Sequence, residues 1–134
     1  MEKKTHSDKR KQDGITFTDM YKILLEDAID LDNKIIYLFG DLEEDLGTLL
    51  RLKYRVIENY WEKEKKEQIS DITIDISSYG GSIYSIFAAL DFYDELKQRD
   101  IIVNTRAQGI CMSAATILLF GGTNSSTILS DLFL

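Results

Sequence analysis

A chain of 134 residues with 44% apolar and 29% charged side chains has the composition of one globular domain and is too apolar to stay disordered. Its net charge of −7 speaks against nucleic acid or an anionic membrane as the main partner, because both require a basic face. The single cysteine, Cys111, excludes an intramolecular disulfide and a multi-cysteine metal site and fits a reducing cytoplasm. No window reaches the roughly 18 apolar residues of a membrane span, and the charged N-terminus lacks the apolar run of a secretory signal.

Residues 1–17 read as a charged segment expected to be mobile. It contains the only histidine, His6, which in such a tail reads as a solvated bystander. From Thr18, a plausible N-cap, the spacing of Met20, Tyr21, Leu24, Leu25, Ala28 and Ile29 predicts a helix with one apolar face. Lys34 to Asp41 reads as a buried strand closed by a turn at Gly40, and Leu42 to Glu67 as a long helix. Asp71 to Ile76 alternates cleanly, with Ile72, Ile74 and Ile76 on one face and Asp71, Thr73 and Asp75 on the other. The SSYGGS of residues 77–82 is expected to break that strand. Ile83 to Lys97 then resumes helical spacing, with Ile83, Ile86, Phe87, Leu90 and Tyr93 inward. A third strand begins at Ile101 and leads through a turn at Gly109 into a helix that starts at Ser113.

Strands alternating with helices over short links imply repeated βα units and a largely parallel sheet. Sites in such sheets collect at the carboxyl ends of strands, so the turns at Gly80 and Gly109 are expected to face one crevice. Past Gly122 the pattern fails: residues 123–134 are a polar patch and then apolar residues with no recognisable element.

Taken singly, the candidate residues are weak. Two glycines after a strand commonly make only a tight turn, and neither phosphate-binding glycine fingerprint occurs. Ser113 alone reads as a helix cap, and Cys111, among small apolar residues, as buried and inert. Together they say more, because a Gly-Gly strand end and a serine at a helix N-terminus bring backbone donors and a hydroxyl to one sheet edge.

Four segments then resemble, in order, the proteolytic subunit of the ATP-dependent Clp protease, a serine peptidase family on the crotonase-like α/β fold. Residues 19–25, DMYKILL, are similar to its N-terminal helix and residues 34–40, KIIYLFG, to its first strand. Residues 76–83, ISSYGGSI, are similar to its glycine-rich strand end and residues 109–122, GICMSAATILLFGG, to its nucleophile segment. The resemblance implies Ser113 as nucleophile and an oxyanion hole from the N–H groups of Gly81 and Ala114, with Gly80 as the alternative donor. It implies no cofactor and no metal. The partners it implies are unfolded polypeptide as substrate, a hexameric ATPase and a ring of like or complete subunits in the cytoplasm. The chain divides accordingly into residues 1–17, a partial Clp-like domain over 18–122, and an atypical, truncated tail over 123–134.

The resemblance also implies a histidine and an aspartate after the nucleophile helix, and neither position is found in the sequence. His6 is a poor substitute, Lys97 sits at the far end of the preceding helix, and Asp131 lies in the unpatterned tail. Without a base a serine triad keeps only residual catalysis. The expectation is a serine endopeptidase subunit by descent, with a fold incomplete at its C-terminus and no activity of its own. A non-catalytic ring subunit is the second reading, and an acyl-CoA-handling enzyme of the same fold the third.

Overall fold

The computed structural model describes residues 14–127. The expectations attached to residues 1–13, including His6, and to residues 128–134, including Asp131, fall outside the described residues. Helix α1 (Phe17–Asp27) is followed by the short strand β1 (Ile29–Asp30) and by β2 (Ile35–Leu42). Helix α2 (Leu46–Tyr60) runs on into a π-helical turn at Trp61–Lys65. Then come β3 (Asp71–Gly81), α3 (Ile83–Gln98), β4 (Ile102–Cys111), α4 (Ala114–Phe120) and β5 (Asn124–Thr127).

The five strands form one sheet in sequential order, with β1 antiparallel to β2 and each of the next three pairings parallel. Helix α2 packs on α3 and α3 on α4, so the crossover helices make one layer over one sheet face. Ile36, Leu38, Ile72, Ile74, Ile76, Val103 and Ala107 are buried along with Leu50, Ile57, Ile86, Phe92, Tyr93, Leu96, Leu118 and Leu119 of the helices. The expected α/β architecture of repeated βα units is therefore the one observed.

Local differences have physical causes. Helix α1 starts earlier than Thr18 suggested. Thr16 is its N-cap, accepting from Asp19 N at 3.1 Å while the Asp19 carboxylate accepts from Thr16 N at 3.3 Å, a reciprocal capping box. Its expected apolar face splits in two, because Met20 and Ile23 pack on the core while Phe17, Tyr21 and Leu25 are exposed. On α3 the buried face is Ser85, Ile86, Ala89, Phe92, Tyr93 and Leu96, whereas Ile83 and Phe87 lie outside. Neither Gly40 nor the start of the Gly80–Gly81 pair ends its strand; β2 reaches Leu42 and β3 reaches Gly81. Asn124–Thr127, in the stretch with no legible pattern, pairs parallel with Asn104–Ala107 as an edge strand.

Asp75, on the face opposite the isoleucines, is nevertheless buried. It is only 3% exposed and pairs with Arg106 of the neighbouring strand, Nη2 to Oδ2 at 2.5 Å and Nε to Oδ2 at 2.9 Å.

Candidate active site

The site lies at the carboxyl ends of β3 and β4, and three irregularities build it. Between Ile76 and Ser78 of β3, the partner strand advances from Ala107 to Cys111, so β4 carries two extra residues there. Gly109, at φ 79°, sits in this bulge and not in a terminal turn. Such a bulge bends its strand and re-aims the residues beyond it. Met112 N then donates to Ser78 O at 3.0 Å, laying the end of β4 against β3.

Ser113 is the N-cap of α4, with φ 51° and ψ −127°, a conformation that L-residues seldom adopt. Its hydroxyl makes no capping hydrogen bond and the residue is exposed. An ordinary cap serine would spend its oxygen on the helix amides; this one keeps it available. Thr116 fixes the backbone instead, its hydroxyl donating to Ser113 O at 2.6 Å and its N–H to the same oxygen at 3.0 Å.

The third irregularity is the glycine pair. Gly80 has φ 113°, and a Cβ there would lie 3.1 Å from Ser113 Cβ, 3.2 Å from Met112 O and 3.3 Å from Ala114 N. A side chain there would be crowded against the serine turn as well as strained at that φ. Gly81 is hemmed in on its other flank, since a Cβ would overlap the backbone of Leu42. The structure thus brings Gly80, Ser113 and Ala114 together and sets Gly81 at the adjoining end of β2. Gly109 does not join them; a Cβ on it would have only Ser77 Oγ nearby, at 3.4 Å.

Ser78, to which the sequence pattern assigned no role, organises this edge. It is buried, donates through Oγ to Gly40 O at 2.5 Å and accepts from Gly80 N at 3.0 Å. The Gly80 N–H is consequently already engaged. A small hydroxyl residue two places before a glycine was the available signal, since such a side chain can bond its own backbone two residues on.

The other nucleophile is disabled by its surroundings. Cys111 is wholly buried, and that burial pushes its thiol pKa up, away from the reactive thiolate. Tyr93, equally buried, has a hydroxyl without a hydrogen-bond partner, and burial raises its pKa as well, with Cys111 adding to the shift. Lys97 is tied up at the far end of its helix, where Nζ donates to Gly121 O at 2.6 Å. Among the described residues there is no histidine and no group of three or more His, Cys, Asp or Glu side chains arranged to hold a metal ion. Nor is any described helix long and apolar enough to cross a membrane.

Comparison with known proteins adds the family. The Clp protease family model matches residues 18–130, from the second residue of α1 to beyond β5. The chain belongs to the Clp protease family. Among solved structures it is similar to the ClpP protease catalytic domain from Plasmodium falciparum, with 24% identity and a TM-score of 0.57. The alignment covers 81% of this chain and 53% of that one, so the chain spans about half the length of its Clp structural neighbour. The likeness extends to the mixed α/β fold. No curated protein matches the chain significantly.

Proposed function

We propose that this chain carries the nucleophile half of a Clp-type serine peptidase site, with Ser113 as nucleophile. The observation that supports this most is the backbone of Ser113. A strained strand-to-helix turn, a hydroxyl with no capping bond and a glycine pressed against it are the features a nucleophile elbow requires, and a plain cap requires none of them. Attack by Ser113 Oγ on a peptide carbonyl would form a C–O bond and move the carbonyl electrons onto oxygen. The N–H groups of Ala114, at the first position of α4, and Gly81 are the proposed donors to that oxyanion. Gly81 is preferred to Gly80, whose N–H Ser78 already holds.

The hydroxyl proton needs an acceptor, and none of the described residues beside Ser113 supplies one. The chain by itself is therefore proposed to be inactive, its base and its partners being those of a complete Clp assembly: a ring of subunits, a hexameric ATPase and unfolded polypeptide. A fluorophosphonate probe tests the assignment when imidazole is added as an external base. Wild-type protein should label in proportion to imidazole and Ser113→Ala should not; equal labelling of both would reject Ser113.

The absence of a base beside Ser113 among the described residues also favours a second reading, a non-catalytic subunit of a Clp-type ring. In that case Ser113→Ala would leave co-assembly with complete subunits unchanged, and wild type would stay unlabelled at every imidazole concentration.

A further inference from the structure

A groove runs from Gly81, one of the proposed oxyanion donors, to the junction of α1, β2 and α2, and its lining has two chemistries. Its inner part is a hollow of about 170 Å³ with Leu38, Leu42 and Leu46 in its lining and Phe39 and Leu49 exposed at its edge. Glu26, Asp27, Asp41, Glu43 and Asp45 share that lining. Its outer part is an open depression where Asp41, Leu42, Glu43, Glu44 and Asp45 meet Gly81 and Ser82. The two parts have Asp41, Leu42, Glu43 and Asp45 in common, so they are continuous. Their end nearest Ser113 is Gly81, whose backbone abuts Leu42.

None of these carboxylates forms an ion pair with a described residue, although five other pairs form elsewhere among the described residues. Lys53 is the one cation among the described residues lining the groove, and burial lowers its pKa while Asp27 opposes the shift. Five carboxylates around an apolar hollow with one ammonium leave a strong uncompensated negative potential, which favours a cation beside an apolar group.

We propose that this groove binds extended substrate polypeptide, taking a leucine-like side chain into the hollow and an adjacent lysine or arginine against the carboxylates. This rests on the peptidase reading, because the groove ends at Gly81, one of the two proposed oxyanion donors. It adds a selectivity: acidic segments are refused and basic-apolar segments are admitted.

Two fluorescent peptides test it, one with leucine flanked by lysines and one with leucine flanked by glutamates, titrated by anisotropy against the full chain. The lysine peptide should bind and the glutamate peptide should not. Asp41→Asn/Glu43→Gln/Asp45→Asn, all at exposed positions, should weaken the lysine peptide by about tenfold, the sum of three partly screened pairs. Added salt should do the same to wild type. Leu49→Ser, which leaves every charge in place, should weaken it too. Equal binding of both peptides, no binding of either, or indifference to the triple variant overturns the proposal. Probe labelling of Ser113 is scored separately. Failure to label removes the peptidase reading, while anisotropy that responds to the carboxylates still supports the groove.

Discussion

Holding Ser113 at φ 51° and ψ −127° costs about 1–3 kcal/mol, a cost that persists only where neighbours over-determine the conformation. Here they are the two bonds from Thr116 and the close approach of Gly80. Gly80→Ala should therefore be costly twice over, since alanine is strained at φ 113° and its Cβ crowds Ser113. We expect a loss of about 1–3 kcal/mol in urea unfolding together with loss of imidazole-dependent labelling at Ser113. An unchanged midpoint with unchanged labelling would mean that the turn is looser than its geometry implies. The residues of this site were legible only in part. The serine at a helix start could be read from small residues after a strand, but its strain could not, because Gly80, which presses on it, acts from the neighbouring strand. Gly109 misled for the same reason: a glycine inside a bulge and a glycine in a terminal turn look alike in one dimension.

Among the elements, the α2–α3 seam is fastened by charge and aromatic contact. Arg99 Nη2 lies 2.6 Å from Glu58 Oε2, Tyr54 donates to the same oxygen at 2.8 Å, and the Arg99 guanidinium sits over the Tyr54 ring. Burial alone would raise the Glu58 pKa, but hydrogen bonds from Arg99 and Tyr54 outweigh it and the net shift is downward. A carboxyl whose folded pKa is depressed contributes stability above its unfolded pKa and loses it as pH falls through the folded one. Wild type should thus lose its advantage over Glu58→Gln on acidification below the ordinary glutamate range, read as converging urea midpoints; parallel midpoints would deny the linkage. The existence of most elements was readable from periodicity, and their faces less so. Helix α3 turns Ser85 and Ala89 to the core because small side chains let it approach the sheet, so apolarity alone misplaced Ile83 and Phe87. Strand β5 was invisible because Asn-Ser-Ser-Thr has no apolar alternation, and an edge strand needs little.

The described residues make one helical layer and one sheet, and they leave much apolar surface uncovered. Phe17, Leu25, Phe39, Tyr84, Phe87 and Phe120 are each more than half exposed, more than isolated surface residues ordinarily present. Sedimentation velocity should show association that grows with protein concentration, as the proposed ring requires, and a single monomer-sized species throughout would contradict the ring proposal. The family and the fold could be read from four short segments, whereas the exposed surface could not, since exposure depends on what the neighbouring elements leave uncovered. The sequential strand order has its own consequence for how the chain is made. Each parallel strand pairs with the one synthesised just before it, so the sheet can grow in the direction of translation without waiting for a distant partner. The turn holding Ser113 closes only after β4 and α4 have been laid down, so a nascent chain carries strands β1 to β4 before it carries a positioned nucleophile.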